Sequence, residues 1–311
     1  MTRVAAIDCG TNTIKLLVAD LDAGGDTGRG TEVERVREMR MVRLGEGVDR
    51  TGRLTQAALQ RVFGAVEEYA ARIEEHDVSS TRFCATSAAR DADNAEEFMA
   101  GVEERLGVRP EVLPGDEEAR LSYDGATRTL QAGLAPPYLV LDIGGGSTEL
   151  ILGREHGEVL DAQSLDIGSV RLTERHLHDD PPSTEQIDAA VAEIEAALDT
   201  CEVDPADAKA VIGVAGTVTT VAAAVLDLPR YDRAILHHSV IGTGSVQGAA
   251  HRMLAMSVEE RRALPFMHPG RADVIGAGAL ILDRVLRRTD VSSLLVSEAD
   301  ILDGIAWSQV L

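Results

Sequence analysis

The sequence is poor in several residue types, and each shortage removes a class of function. Aromatic residues make up only 3% of the 311 positions, so stacking on bases or single strands has little to work with. Lysine is nearly absent, with only Lys15 and Lys209, and arginine carries the rest of the positive charge. The formal net charge of −22 argues against a nonspecific nucleic-acid or membrane surface. It leaves room for an anionic ligand only where positive charge is local. The three cysteines, Cys9, Cys84 and Cys201, show no CxxC or Cys/His spacing, so neither a zinc site nor a disulfide framework is expected. They fit reduced, buried thiols in a cytoplasmic protein. No apolar run approaches the roughly 20 residues of a membrane span, and MTRVAAIDCG has no signal-peptide core.

What is present is a duplicated motif. Tyr138–Gly153, YLVLDIGGGSTELILG, reads as apolar strand, Gly-rich turn, apolar strand. Three consecutive glycines exceed what a two-residue hairpin turn needs. They expose successive backbone N–H groups, which form anion-binding concavities. The flanking carboxylates, Asp142 and Glu149, would repel a bare phosphate but suit one with Mg²⁺ (or Mn²⁺) between. The unit has an echo at Val4–Asp20: Asp8, Gly10, Thr13 and Leu16 match Asp142, Gly144, Ser147 and Leu150, all at offset 134 (142 − 8). Two phosphate-type loops in similar halves suggest two domains with a ligand cleft between them.

The remaining pattern is mixed α/β. Strands are expected at Glu32–Leu44, Ser80–Ala85, Arg109–Leu113, Glu158–Asp166, Ala208–Val214 and Ser292–Val296, and polar loops at 22–31 and 131–137. Arg35, Arg37, Arg40 and Arg43 lie on the first of these strands, either solvated or facing an anion. Apolar periodicity predicts helices at Leu54–His76, Asn94–Leu106, 116–130, Gly168–Arg175, Glu185–Thr200, Val218–Leu226, Met253–Leu264, Arg271–Arg288 and 299–311. His237, His238 and His268 lack metal-ligand spacing.

AIDCGTNTIKLLVAD and LVLDIGGGSTELILG resemble the two phosphate motifs of the exopolyphosphatase/guanosine pentaphosphate phosphohydrolase family, of the actin and sugar-kinase superfamily. ATSAARDADN (Ala85–Asn94), GDEEARLSYDGA (Gly115–Ala126), IGSVRLTE (Ile167–Glu174), GVAGTVTT (Gly213–Thr220), GRADVIGAGALIL (Gly270–Leu282) and VSEADILDGIA (Val296–Ala306) resemble its other signatures, in order. The resemblance implies an α/β fold of two actin-like ATPase (ribonuclease H-like) domains with an interdomain cleft. Their expected bounds are Met1–Ser122, with a helix at 300–311 packing back, and Tyr123–Ala299.

It also implies roles. Glu118 matches the general base that activates water, and Arg90 the arginine that meets the scissile phosphate. Gly10, Thr11, Asn12, Thr13, Gly144, Gly145, Gly146, Ser147 and Thr148 would bind phosphate, and Asp142, Glu149 and more weakly Asp8 the metal. Arg171 is open between a cleft role and a surface role. Gly216 and Thr217 occupy the place where nucleotide-binding relatives contact adenosine, or merely close a turn. Lys15 stands for a commoner arginine, and Leu302 for the arginine that many relatives carry before an acidic residue and glycine.

The implied substrate is inorganic polyphosphate or the guanosine pentaphosphate pppGpp, with orthophosphate as product. Longer relatives add an HD-type helical domain, and its lack would favour shorter chains. A homodimer is expected, with neither a nucleic-acid nor a membrane partner. The rivals are a kinase of the same fold and a non-catalytic sensor of polyphosphate or guanosine penta/tetraphosphate.

Overall fold

Two sheets with one shared strand order account for the architecture of the computed structural model, which describes residues 1–24, 30–130 and 134–310. The first sheet holds β1 (Thr2–Cys9), β2 (Thr13–Asp22), β3 (Thr31–Met41), β4 (Ser80–Ala85) and β5 (Glu111–Val112), in the order β3-β2-β1-β4-β5. The second holds β6 (Tyr138–Ile143), β7 (Thr148–Gly153), β8 (Val159–Leu165), β9 (Ala210–Val214), β10 (Val240–Gly242) and β11 (Ser293–Val296), in the order β10-β11-β9-β6-β7-β8. Each sheet starts with an antiparallel three-strand meander and continues through parallel strands: β1, β4 and β5 in one, β6, β9 and β11 in the other. In the second, β10 adds an antiparallel edge to β11. This repeated order is the two-domain actin-like α/β class expected from the sequence.

By contacts the chain divides into Met1–Thr129 with Ile301–Leu311, and Leu130–Asp300. The helix Gly115–Arg128 runs through the position where the sequence set a boundary at Ser122. Strands β6 and β7 are buried along their whole length, as near-continuous apolar runs require. In the first unit, one face of the sheet packs on the helix Gln56–Glu74 through Leu59, Val62, Val66 and Tyr69. Thr55 caps that helix, its hydroxyl accepting from the Ala58 N–H at 3.2 Å. The other face packs on the helix Ile301–Trp307, where Ile301, Leu302, Ile305 and Trp307 meet Val4, Ala6, Leu17, Ala19 and Leu21.

Several expectations need correction. The stretch Met253–Leu264 is not one helix but the end of Thr243–Ala255 and the separate helix Val258–Arg262. Ser257 restarts the chain with a capping box, its hydroxyl accepting from the Glu260 N–H while Glu260 accepts from the Ser257 N–H. The helix expected from Arg271 begins at Ile275, after a 3₁₀ turn at Pro269–Arg271. The short helices Val48–Thr51 and Arg233–Leu236 and strand β10 were not foreseen. On β3, Arg35 pairs with Asp20, Arg37 with Asp303 and Glu34, and Arg40 with Glu38 and Glu68. The loops expected at 22–31 and 131–137 fall partly outside the described residues.

Candidate active site

Ligands of open α/β sheets gather at the carboxyl ends of the parallel strands. In the first unit β1, β4 and β5 end side by side at Cys9, Ala85 and Val112. The three segments after these ends carry the predicted site residues: Gly10–Thr13, Thr86–Arg90 and Leu113–Glu118. Backbone bonds tie them together, with the Thr86 N–H donating to the Cys9 carbonyl (3.2 Å) and the Leu113 N–H to the Ala85 carbonyl (2.9 Å).

Side chains complete the link. The hydroxyls of Thr11 and Ser87 share a buried hydrogen bond of 2.8 Å. Ser87 opens the short helix that ends at Arg90. One guanidinium nitrogen of Arg90, Nη1, donates both to the Leu113 carbonyl (2.7 Å) and to Glu118 Oε2 (3.0 Å). Glu118, 7% exposed, lies in the first turn of the helix Gly115–Arg128, where the helix dipole favours a carboxylate. The phosphate loop, the arginine and the glutamate thus form one connected group. The neighbouring Glu117 is half-exposed and paired with Arg82 at 2.7 Å.

The two glycine turns share a hydrogen bond at the repeat offset. Gly10 N–H donates to the Thr13 carbonyl at 2.9 Å, and Gly144 N–H to the Ser147 carbonyl at 3.0 Å. In the second turn the carbonyls have partners on one side. Gly144 accepts from the Ser169 N–H (3.0 Å), Gly145 from Val170 (2.8 Å) and Arg171 (3.1 Å), and Gly146 from Arg171 Nε (2.7 Å). A planar trans peptide points its N–H opposite to its C=O. The N–H groups of Gly145, Gly146 and Ser147 therefore turn away from the Ser169–His176 helix as a set, the arrangement of an anion-binding nest. In the first turn the carbonyls of Thr11 and Asn12 accept from Gly45 (2.8 Å) and from Val42 and Arg43 (3.0 Å each). This turns the N–H groups of Asn12 and Thr13 the other way.

Two residues that the sequence left undecided or unread contact the second nest. Arg171 is 11% exposed and braces the Gly146 carbonyl from behind. Gly168 lets the helix approach so closely that a Cβ there would stand 2.4 Å from the Gly145 oxygen. Thr148 was expected to contact phosphate, but its hydroxyl is fully buried and donates to the Ile167 carbonyl at 2.7 Å.

Asp142 and Glu149 are direct cross-strand partners on β6 and β7, both buried. Ser164 Oγ donates to Glu149 Oε1 at 2.7 Å. Two adjacent carboxylates are the hard-oxygen donors that Mg²⁺ or Mn²⁺ takes, with water and phosphate oxygens filling the other positions. Among the described residues no cluster of three or more His, Cys, Asp or Glu is arranged for a metal ion. Asp8 differs: its carboxylate pairs with Lys15 Nζ at 3.1 Å.

In the second unit β9 ends at Val214, followed by Ala215 with φ of 65° and by Gly216. A Cβ on Gly216 would lie 2.3 Å from Arg271 Nη2, so the arginine's guanidinium occupies that glycine's open face. Cys9 and Cys84 are buried thiols, and burial pushes the Cys84 thiol up to about 12. No helix among the described residues is long and apolar enough to cross a membrane.

The family model described as the Ppx/GppA phosphatase family matches residues 31–311. Exopolyphosphatase 2 of Mycobacterium tuberculosis is 45% identical, over 99% of this chain and 98% of the relative. The crystal structure of an exopolyphosphatase-like protein aligns with TM-score 0.95 at 43% identity, covering 99% of this chain and 97% of that one. The guanosine-5'-triphosphate,3'-diphosphate pyrophosphatase of Aeromonas salmonicida is 28% identical, over 97% of this chain and 58% of the relative.

Proposed function

The chain belongs to the Ppx/GppA phosphatase family, a family of phosphoanhydride hydrolases, and on that premise we propose that it is an exopolyphosphatase. In this reading it removes the terminal phosphate of inorganic polyphosphate and releases orthophosphate. The observation that carries the assignment is the connected group Thr11–Ser87–Arg90–Glu118 at the carboxyl ends of β1, β4 and β5.

Each part then has a task. The backbone nests at Gly10–Thr13 and Gly144–Ser147 take phosphate oxygens. Glu118 accepts a proton from a water whose oxygen attacks the terminal phosphorus. The bridging P–O bond breaks, and the shortened chain leaves with its bridging oxygen. Arg90, held by the Leu113 carbonyl, is steadied beside Glu118 and can turn its remaining N–H groups to the transferring phosphoryl oxygens. Asp142 and Glu149 are the residues that would hold Mg²⁺ or Mn²⁺. Held there, it would supply charge neutralisation to the phosphate.

A second reading is removal of the 5′ terminal phosphate of pppGpp, since relatives at lower identity carry that activity in their names. The Arg271 guanidinium lies over Gly216, the position left open between a nucleoside contact and a closed turn.

Phosphate release from tripolyphosphate, long-chain polyphosphate and pppGpp, each with and without Mg²⁺, ranks the substrates. Glu118→Gln is expected to lower kcat by about 10²–10⁴-fold with little change in fold stability. Full hydrolysis by that variant sinks the general-base assignment.

A further inference from the structure

The first phosphate loop is held from behind at one remove. The peptide unit joining Val42 to Arg43 lies between it and the helix Gln56–Glu74. The Arg43 N–H of that unit donates to the Asn12 carbonyl at 3.0 Å, and its Val42 carbonyl accepts from Arg61 Nε at 2.6 Å. A planar trans peptide points these two groups in opposite directions, so Arg61 and Asn12 stand on opposite sides of it. The next unit repeats the arrangement. The Asn12 carbonyl faces Arg43, and the Thr13 N–H of the same peptide faces the other way. A guanidinium, two peptide units and the anion side of the nest are thus in series. Hydrogen bonds in series polarise one another, which makes the last N–H a better donor.

Arg61 grips the turn after β3 at two more points. Its Nη2 donates to the Arg43 carbonyl at 3.1 Å and to Glu46 Oε2 at 2.8 Å. Between those points the Gly45 N–H donates to the Thr11 carbonyl at 2.8 Å. A Cβ on Gly45 would stand 2.3 Å from Thr11 Cγ2, so the turn rests directly on the loop. Arg43 has φ of 47°, in the left-handed region that residues with a side chain rarely adopt. Such a conformation persists where the surroundings over-determine it. Here the Asn12 carbonyl holds the Arg43 N–H, and Arg61 holds the Arg43 carbonyl.

We propose that Arg61 is a positioning residue for the first nest. Acting through residues 42–46, it fixes the direction of the Thr13 N–H and so sets the affinity of the loop for phosphate. It is the counterpart of Arg171, which donates directly to the Gly146 carbonyl of the second nest. The inference rests on the reading that Gly10–Thr13 binds phosphate.

Amide NMR spectra of the full chain, titrated with the non-hydrolysable diphosphate methylenediphosphonate, test both without turnover. In the wild type the Thr13 N–H signal should move downfield as the ligand binds. Arg61→Met should raise Kd by about three- to tenfold, the worth of one hydrogen bond. Before ligand is added, it should already move the Arg43 and Thr13 N–H signals upfield. In polyphosphate hydrolysis KM should rise by a similar factor while kcat stays within about twofold, because the nest binds ground state and transition state alike. Arg72→Met is the control, since Arg72 lies on the same helix but pairs with Glu38 and Glu75. It should keep the wild-type Kd. Arg61→Lys keeps the charge but loses the fork, so its Kd should lie between wild type and Arg61→Met. Should Arg61→Met not fold, Arg61→Lys decides by the direction of its Kd. A wild-type Kd in the deciding variant, with Thr13 still reporting the ligand, overturns the inference, and so does a fall in kcat with KM unchanged. A Thr13 signal that ignores the ligand in the wild type instead overturns the phosphate reading of the loop.

Discussion

Replacing Gly168 by alanine tests whether the second nest depends on its helix. The added methyl would stand 2.4 Å from the Gly145 oxygen, 2.5 Å from the Gly145 carbonyl carbon and 2.6 Å from that of Gly146. Real Cβ atoms essentially never come within 3.0 Å of such neighbours, so the loop or the helix must retreat by about 0.6 Å (3.0 − 2.4). All three obstacles are backbone atoms, and no side-chain rotation relieves them. The movement stretches the bonds from Ser169, Val170 and Arg171 that aim the nest. Overpacking of this kind costs about 1–3 kcal/mol of stability. A misplacement of about 1 Å in a positioning group can cost about 10²-fold in rate, so a loss in kcat/KM of at least about tenfold is expected here. Much of it should appear in KM, because a nest binds phosphate in the ground state as well as the transition state. Phosphate release measured against polyphosphate concentration, together with a thermal melt, reads both effects. Gly64→Ala, on an exposed helix face with nothing within 4 Å of the new methyl, serves as the control. A Gly168→Ala protein with wild-type KM and wild-type melting would refute the reasoning.

Two further predictions concern the first unit. Trp307→Ala removes a 2%-exposed indole whose N–H donates to Glu32 at 3.2 Å and whose ring lies 4.7 Å from the Arg128 guanidinium carbon. A loss of about 3–5 kcal/mol is expected, measurable as a lower urea midpoint. Hydrogen bonds from Arg3 and Arg35 hold the Asp20 carboxyl well below its ordinary value of 3.8. Its contribution to stability is complete above that ordinary value and is lost as pH falls through the lowered one. Asp20→Asn should therefore flatten the dependence of melting temperature on pH below about pH 4, with the difference from wild type shrinking as the pH drops further. An unchanged acid profile would show that these contacts do not form in solution.

Much of the site was legible because it depends on local pattern. The offset of 134 that links Asp8 to Asp142 also links one hydrogen bond, Gly10 to Thr13, to its counterpart, Gly144 to Ser147. Strand alternation and glycine content are read along the chain, so the hairpins were visible. Gly168 was not, since its demand comes from a loop more than twenty residues away (168 − 145 = 23). The β3 arginines were ambiguous for the same reason: a strand shows which face a side chain takes but not that Asp303 waits opposite Arg37. Ser257 and Glu260 did carry a local signal, Ser-Val-Glu-Glu, that an apolar stripe through Met253–Leu264 obscured. Thr148 looked like a phosphate donor by its place in the motif, and only the position of Ile167 shows that its hydroxyl is already engaged.

The helix Ile301–Trp307 has a consequence for how the protein is made. The first unit is interrupted in sequence by the whole of the second, Leu130–Asp300, and is completed only by Ile301–Leu311. A ribosome that has released residues up to 300 has delivered every strand of both sheets. Yet the apolar face formed by Val4, Ala6, Leu17, Ala19 and Leu21 still lacks its cover. The helix carrying Glu118 also lacks its close neighbour, since Gly304 approaches so near that a Cβ there would lie 2.0 Å from the Leu121 oxygen. Translation thus finishes the inserted half before the half that encloses it. During that interval the nascent chain exposes a sticky sheet, which makes it a natural client for holding chaperones until the segment from Ile301 onward emerges.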